Sequence, residues 1–245
     1  MIFAAGIGSR LRPITDRIPK ALVPVGGVPM LQRTLLKLQA AGFDDITINI
    51  HHFGQQIIDF LQANNNFGIN IHISDERDEL LDTGGGILKA RPFLDGDEPF
   101  LVHNVDILSD INLRSVYDEH VASGADATLL VSERTTTRKL LFDADMRLHG
   151  WLNHATGEVK PDGFTFDPQC YRELAFEGIH VISPTLFRHM GEATEWQGKF
   201  SIIPFYLSVC QRLTLHGHEL KNITWFDIGK PETLDQANAY YQSHK

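Results

Sequence analysis

The sequence predicts an α/β fold in which a mainly parallel sheet is flanked by helices. Two observations predict it. Residues 46–73 alternate between segments with the period of a strand and a segment with the spacing of a helix. Short connections between such segments favour right-handed crossovers and parallel pairing. In a sheet of this kind ligands bind at the carboxyl ends of the strands, so we look for functional residues there.

The individual elements follow from periodicity and from their end signals. A helix is predicted over Pro29–Ala41, because Leu31, Leu35 and Leu38 share a face and Gly42 is a typical helix stop. The next predicted elements, in order, are a strand at Ile46–Ile50, a helix at Gly54–Ala63, a turn at Asn64–Asn66 and a strand at Ile69–Ile73.

Composition limits the class of protein. The chain has 245 residues, of which 42% are hydrophobic, and it contains no Pro/Gly/Ser linker or repeat, so we predict a single domain over residues 1–245. A net charge of -9 argues against nucleic acid as the main partner. No apolar stretch is long enough for a signal peptide or a membrane span, which predicts a cytoplasmic protein with no membrane partner.

Cysteine and histidine give no sign of a metal centre. Cys170 and Cys210 are far apart and lack metal-ligand spacing, so both are predicted to be core thiols. The chain has twelve histidines, but none belongs to a His-x-x-x-His pair or stands beside a carboxylate triad. The histidines are therefore not predicted to be metal ligands.

The N-terminal segment gathers positive charge on a glycine loop. A short apolar strand breaks at Gly6 and Gly8, where the backbone can take a positive φ. Four cations follow this break, opposed by the single Asp16: they are Arg10, Arg12, Arg17 and Lys20. In a chain that is acidic overall, such a loop predicts phosphate binding by backbone amides and basic side chains. The alternative is a solvated turn with scattered basic residues.

Two common phosphate motifs are excluded. A dinucleotide fingerprint needs a third glycine, and Leu11 stands at that position with Pro13 soon after it. A P-loop closes with Gly-Lys-Ser/Thr, which Gly8-Ser9-Arg10 does not provide. The loop is therefore neither a nicotinamide site nor a Walker motif.

A second glycine run lies at Thr83-Gly84-Gly85-Gly86. We predict a helix at Ile87–Arg91, so these glycines would precede a helix N-terminus and let a flat ring or sugar approach the backbone. A flexible loop with no ligand is the alternative.

Two aspartates are predicted at strand ends. Asp106 ends the apolar segment that begins at Phe100, and Asp227 ends the hydrophobic segment that begins at Thr224. One or two carboxylates together with substrate phosphates are the usual ligands of Mg²⁺, so the pair predicts a magnesium site. Asp106 alone could equally cap the following turn.

Together these segments resemble the nucleoside-diphosphate-sugar pyrophosphorylases, or sugar-1-phosphate nucleotidyltransferases. The resemblance runs nearly end to end, and it is greatest to the short N-acetylmuramate-1-phosphate uridylyltransferases. It implies a Rossmann-like domain that joins a nucleoside triphosphate to a sugar 1-phosphate and releases pyrophosphate. The segments that carry it are residues 4–13, 19–25, 83–87, 104–106, 176–179 and 226–229.

The resemblance also implies roles for individual residues. Arg10 would bind the leaving pyrophosphate, Lys20 the α-phosphate, and Asp106 with Asp227 the Mg²⁺. Nucleotide binding is implied for Ala4, Ala5, Gly6, Gly8, Ser9, Thr83, Gly84 and Gly85. Sugar binding is implied for Asn104, Glu177, Gly178 and Lys199. Glu177 could instead be a surface carboxylate, and Lys199 an exposed lysine before a helix.

The remaining elements are expected on the sugar side of the fold. Ala127–Val131 would continue the sheet, while antiparallel strands at Leu140–Trp151 and Gly163–Phe166 would form a small lid over the sugar site. A strand at Phe176–Ile182 would lead to a short helix with Ser183 as N-cap and Pro184 at its first position. An amphipathic helix at Pro231–Tyr241 would end the fold.

Departures from the family pattern leave the substrate open. The usual Asn-Gly-Asp is Asn104-Val105-Asp106, and the usual Gly-Lys-Pro is Gly27-Val28-Pro29, so one expected lysine is absent. Three alternatives to a uridylyltransferase stand: a mannose or heptose 1-phosphate guanylyltransferase, a phosphocholine-type cytidylyltransferase, and a catalytically silent nucleotide-sugar-binding regulator. The sequence leaves the oligomeric state open.

Overall fold

A computed structural model describes residues 1–191 and 193–243 of the chain. The strands are β1 (Ile2–Phe3), β2 (Pro24–Val25), β3 (Val28–Pro29), β4 (Asp45–Ile50), β5 (Asn70–Asp75), β6 (Phe100–Asn104), β7 (Ile107–Ser109), β8 (Ala127–Ser132), β9 (Arg138–Phe142), β10 (Leu148–Asn153), β11 (Glu158–Lys160), β12 (Arg172–Ile182), β13 (Leu215–Glu219) and β14 (Trp225–Asp227). The α-helices are α1 (Met30–Ala40), α2 (Gly54–Ala63), α3 (Asp82–Leu94), α4 (Leu113–Ser123), α5 (Ile202–Val209) and α6 (Pro231–Ser243).

The residues group into two compact units. Unit 1 contains Met1–Leu80, His103–Arg114 and the chain from Ile223 onward, and unit 2 contains Leu81–Val102 and Ser115–Asn222. Each unit is therefore discontinuous in sequence. The single domain expected over residues 1–245 stays a prediction.

Unit 1 contains the predicted parallel sheet. β1 pairs in parallel with β4 on one side and with the His103–Asn104 end of β6 on the other, and β4 pairs in parallel with β5. This parallel pairing is the arrangement that the short connections predicted. α2 spans the predicted residues and connects β4 to β5, which are neighbouring parallel strands. α1 ends one residue earlier than predicted, before Gly42 at a φ of 88°.

A second, small sheet in unit 1 carries the second aspartate. β14 pairs antiparallel with β7, which sets Asp227 opposite Ile107. Asp227 therefore stands at the end of a two-stranded antiparallel sheet and not at the end of a strand of the parallel sheet. A buried cluster of Leu11, Val23, Val25, Met30, Leu108, Ile228, Leu234 and Ala237 packs the glycine-loop segment, α1 and α6 around this small sheet. Burial of that apolar surface is what holds the loop segment in place.

Unit 2 is built mainly from antiparallel strands. β12 pairs antiparallel with β8 and β9, β10 pairs antiparallel with β9 and β11, and β13 runs parallel to β8. The prediction of a small antiparallel sheet is confirmed, but the strand expected at Gly163–Phe166 is wrong. The third strand is instead β11, which ends at Lys160 because Pro161 has no N–H to continue the ladder. The chain then turns, and Phe164 N donates to Pro161 O at 3.0 Å.

The glycine run in unit 2 lies inside a helix. α3 begins at Asp82 and not at Ile87, and Gly84, Gly85 and Gly86 are buried in its first turns. The glycines are needed for packing: a Cβ on Gly84 would lie 2.2 Å from the Phe200 ring, and one on Gly85 would lie 2.1 Å from Gly198 O. Glycine is therefore used here for close approach of another part of the chain.

Two smaller expectations concern the cysteines and the helix after Ser183. Cys210 is buried as predicted, but Cys170 is exposed, so the prediction of a core thiol is wrong for Cys170. The short helix at Pro184–Arg188 is a 3₁₀ helix, and Ser183 does not cap it because its hydroxyl donates to Ala125 O at 2.7 Å. Within the described residues, every helix is too short or too polar to cross a membrane.

Candidate active site

The glycine loop of unit 1 depends on one of its two glycines. Gly8 has a φ of 69°, and a Cβ there would lie 3.0 Å from both Lys20 Cβ and Thr15 Cγ2. Thr15 Oγ1 also donates to Gly8 O at 2.9 Å. Gly6 does not have the positive φ that was expected, and a Cβ there would meet nothing within 4 Å. The two glycines therefore differ: Gly8 is needed for the left-handed backbone conformation of the turn, whereas the space around the Gly6 Cα is unoccupied.

The first amides of the loop are held inside the protein. Ala4 N and Ala5 N donate to Asn49 Oδ1 at 2.7 and 3.3 Å, and Asn49 Nδ2 donates to Glu76 Oε1 at 2.8 Å. Asn49 and Glu76 are both buried. A buried side-chain network therefore already satisfies these two amides. A role of Ala4 and Ala5 in lining a nucleotide site stays a prediction.

The predicted cations and acids of unit 1 come together. Lys20 is buried, and its ammonium forms an ion pair with Asp106 Oδ2. Ile228 N donates to Asp106 O at 2.9 Å, which joins the segments that follow β6 and β14. A Cβ on Gly229 would lie 2.6 Å from Arg10 Nη2 and 2.9 Å from Asp227 Oδ1. The Lys20–Asp106 ion pair therefore lies at the end of β6, and Arg10 and Asp227 both lie beside Gly229, just after β14.

The other loop cations lie outside this cluster. Arg12 is exposed and pairs with Asp16 at 3.2 Å, four residues along the chain. Arg17 is exposed as well. An exposed pair of this kind contributes little to stability, so Arg12 is a suitable control for the charge of Arg10.

The acidic pair has the composition that Mg²⁺ prefers. Within residues 1–191 and 193–243, no group of three or more histidine, cysteine or carboxylate side chains could hold a metal by itself. Mg²⁺ commonly uses one or two carboxylates and takes its other ligands from water and substrate phosphates. A carboxylate has about four acceptor positions, so Asp106 can keep Lys20 and still bind a cation. The donor set therefore fits Mg²⁺ with a bound nucleotide.

Asn104 is the last residue of β6. It is half-buried and pairs in register with Phe3 of β1, and Val105 N continues the ladder by donating to Phe3 O at 3.1 Å. Asp106 follows two residues later, at the carboxyl end of this strand. Asn104 and Asp106 therefore both lie at the carboxyl end of β6, and the sugar role of Asn104 stays a prediction.

In unit 2 the polar groups at the start of α3 bind the chain before α5. Gly84 N and Gly85 N donate to Phe200 O at 2.9 and 3.1 Å, and Thr83 Oγ1 accepts from Ile202 N at 2.9 Å. These two amides therefore already have Phe200 O as their acceptor. Nucleotide contacts by Thr83, Gly84 and Gly85 stay a prediction that these amides do not support.

Glu177 is neither exposed nor unpartnered. It is buried and accepts from Ser132 Oγ at 2.6 Å and from Arg134 Nε at 3.2 and 3.3 Å. The alternative of a surface carboxylate is wrong. Gly178 has a φ of 73° in a bulge, where the register between β12 and β8 shifts. Lys199 is exposed, as the alternative for that residue expected.

Several polar residues of these networks were missed from the sequence. From periodicity alone Asn49 is one polar position of an alternating strand, although a buried amide in an otherwise apolar strand is a signal of a specific hydrogen bond. Ser132 is the last residue of β8 and Arg134 lies two residues after it, so the rule that predicted Asp106 applies to both. Glu76 carried no sequence signal, because its partner is distant in the chain.

The chain matches known proteins over nearly its full length. The family model described as nucleotidyl transferase matches residues 1–244. An N-acetylmuramate alpha-1-phosphate uridylyltransferase of Neisseria meningitidis serogroup B is 43% identical and is matched over 98% of this chain and 96% of that protein. The enzyme of the same name from Caulobacter vibrioides is 31% identical, over 98% of this chain and 95% of that protein.

A solved structure agrees with the fold. The UDP-glucose pyrophosphorylase from Acinetobacter baumanii superposes with a TM-score of 0.77 at 16% identity, covering 98% of this chain and 91% of that one. The Rossmann-like α/β fold predicted from the sequence is thereby confirmed. With the family match over residues 1–244, the chain belongs to the nucleotidyl transferase family and is an enzyme of the sugar-1-phosphate nucleotidyltransferase class.

Proposed function

We propose that the protein transfers the uridylyl group of UTP to N-acetylmuramate 1-phosphate, giving UDP-N-acetylmuramate and pyrophosphate in a Mg²⁺-dependent reaction. The observation that carries the chemistry is the cluster of Arg10, Lys20, Asp106 and Asp227 in unit 1. The substrates are proposed from the two uridylyltransferases that match almost end to end.

The reaction is a direct displacement at the α-phosphorus. An oxygen of the sugar phosphate attacks, the α–β bridging bond breaks, and pyrophosphate leaves with the bonding electrons. The nucleophile is already an anion, so no general base is required. The protein must hold two anions that repel one another and stabilise the charge that develops on the leaving group.

The residues of the cluster have charges suited to these tasks. Lys20 is held by Asp106 in a buried position, and its ammonium would bind the α-phosphate. Arg10 is exposed on the loop, and its planar guanidinium suits two oxygens of the leaving pyrophosphate. Gly6, with open space around it, and Gly8 and Ser9 would let the phosphates approach the backbone.

Asp106 and Asp227 would hold the metal. When bound there, Mg²⁺ would neutralise charge on the phosphate oxygens. Without the metal the two carboxylates would repel the triphosphate, and the positive charges of Lys20 and Arg10 would only neutralise these carboxylates. Dependence on a divalent cation is therefore expected from the charges of unit 1 alone.

The sugar residues are proposed from unit 2 and from the end of β6. Glu177 is fixed by Ser132 and Arg134, so its carboxylate is held in one orientation for hydroxyl groups of the sugar. Gly178 permits close approach because its position bears no side chain. A sugar role is also proposed for Lys199 in unit 2 and, separately, for Asn104 in unit 1.

A substrate matrix tests the proposal. UTP, CTP, GTP and dTTP are each combined with N-acetylmuramate 1-phosphate, mannose 1-phosphate, a heptose 1-phosphate and phosphocholine, with and without Mg²⁺, and pyrophosphate release is measured. We expect the highest kcat/KM for UTP with N-acetylmuramate 1-phosphate, and only with Mg²⁺. A preference for GTP with mannose or heptose 1-phosphate, for CTP with phosphocholine, or no turnover at all would reject the proposal in favour of one of the three alternatives.

A further inference from the structure

Unit 2 contains a groove between the antiparallel sheet and α5 that no part of the proposed reaction has yet used. Its volume is about 560 Å³. Pockets that bind small molecules usually have volumes of about 300–1,000 Å³. We call it the α5 groove; it is lined by residues of β9, β10, β11 and β12 on one side and by Ser201, Ile203, Pro204 and Leu207 on the other.

The side chains on the sheet side of the α5 groove share one face. Leu140 pairs in register with Trp151, and Trp151 pairs with Lys160. Arg138 lies two residues before Leu140 and therefore points to the same face. The α5 groove thus has an apolar floor, made by Leu140 and Trp151, between two cations at its edge.

The charges of the α5 groove do not balance. Arg134 is engaged with Glu177, and Lys160 lies 3.3 Å from Glu158. Within residues 1–191 and 193–243, no ion pair is formed by the exposed Arg138. The α5 groove therefore presents one uncompensated positive charge beside an aromatic side chain.

The α5 groove is directly connected to the predicted sugar residue. Arg134 lines it, donates to both oxygens of Glu177, and donates from Nη2 to Phe176 O at 3.2 Å. Phe176 lines the groove as well. A sugar bound by Glu177 would therefore have its substituents within reach of the groove.

We propose that the α5 groove selects an acidic sugar, and that Arg138, assisted by Lys160, binds the carboxylate of the lactyl ether of N-acetylmuramate 1-phosphate. This inference rests on the proposed function and deepens it. N-acetylglucosamine 1-phosphate is identical except that it lacks the lactyl group, so it has no anion for Arg138. One excess cation matches one carboxylate, while Trp151 and Leu140 provide apolar contact for the methyl group of the lactyl ether.

The test is the specificity ratio, defined as kcat/KM for N-acetylmuramate 1-phosphate divided by kcat/KM for N-acetylglucosamine 1-phosphate, with UTP. We expect Arg138→Gln to lower this ratio by about tenfold to a hundredfold, the value of one charge-assisted hydrogen bond. Arg138→Lys should retain more of the ratio than Arg138→Gln, and Lys160→Gln should lower it less. Arg212→Gln removes an exposed arginine that does not line the α5 groove and is the control.

The outcomes separate this inference from the proposed function. If the wild-type protein prefers the acidic sugar and Arg138→Gln preserves the ratio, the assignment of the α5 groove is wrong while the proposed function stands. If the wild-type protein turns over both sugars equally well, the inference is overturned while the proposed function stands; if it does not turn over N-acetylmuramate 1-phosphate, the proposed function itself fails. A fall in the ratio equal to that of Arg212→Gln would also reject the groove, since it would reflect only the general charge of the surface.

Discussion

At the scale of single residues, the site depends on positions where only one side chain is compatible with the backbone. Gly8 combines a positive φ with close contacts to Lys20 and Thr15. Because Lys20 in turn holds Asp106, the turn at Gly8 positions the acid–cation pair. Gly6, two residues earlier, has neither constraint and is the matched comparison.

We expect Gly8→Ala to lower the free energy of unfolding by roughly 1–2 kcal/mol, because a non-glycine residue with a positive φ is strained. The methyl group would also press on Lys20 Cβ, so pyrophosphate release should fall. Gly6→Ala should change the free energy of unfolding by less than about 0.5 kcal/mol. Chemical denaturation of both variants checks this, and equal losses would show that Gly8 has no special conformational role.

Sequence reasoning identified the chemistry-bearing residues better than their partners. Lys20 was predicted from the basic glycine loop, and Asp106 and Asp227 were predicted from their positions at the ends of apolar segments. The hydrogen bonds of Asn49 to Ala4 and Ala5 were not predictable, since they join residues more than forty positions apart. For the same reason, the pairing of Glu177 with Arg134 appears only once β8 and β12 are placed side by side.

At the scale of elements, periodicity predicted the helices and strands, and packing decided their ends. α2 matched its prediction, whereas α3 begins five residues early because Gly84 and Gly85 fit against Phe200 and Gly198. A glycine run gives no sequence signal that distinguishes a loop from a helix packed at very short distance. The contact that decides this case lies more than one hundred residues away in the chain.

Three buried histidines, two of which connect elements of unit 2, give the fold a pH dependence. His180 on β12 lies 2.7 Å from Tyr206 Oη of α5, and burial lowers its pKa to about 3. His120 of α4 contacts Thr128 of β8, and burial lowers its pKa to about 4. Burial likewise lowers the pKa of His103 to about 3.

These depressed pKa values predict acid lability below about pH 6.5. Between that pH and about pH 4, histidines of the unfolded chain bind protons that the folded protein excludes, so the free energy of unfolding falls as pH falls. Each such histidine contributes up to about 1.4 kcal/mol per pH unit. Denaturation curves measured from pH 7.5 to 4.5 should show this decrease in the free energy of unfolding. In His180→Gln the number of protons taken up on unfolding should be smaller by about one. A flat profile would contradict the neutral state of the three histidines.

At the scale of the whole molecule, the chain covers nearly the full length of the two uridylyltransferases that it matches. Its two units have different architectures, a parallel sheet with the acid–cation cluster in unit 1 and antiparallel strands with Glu177 in unit 2. Each unit contains residues for which the sequence predicts a role in substrate binding. The division into two units was not predictable from the sequence, because the segments of each unit are interleaved along the chain.

The most direct test of the central claim is the initial rate of pyrophosphate release from UTP and N-acetylmuramate 1-phosphate in Mg²⁺. Asp106→Asn should lower the rate about a hundredfold or more, the typical cost of one preorganised charge. Because Lys20 is buried against Asp106, Arg10→Ala on the exposed loop is the companion variant that does not endanger folding, and a similar loss is expected. Arg12→Ala, its neighbour outside the cluster, should retain near-normal activity. Near-normal rates for both Asp106→Asn and Arg10→Ala would contradict the account.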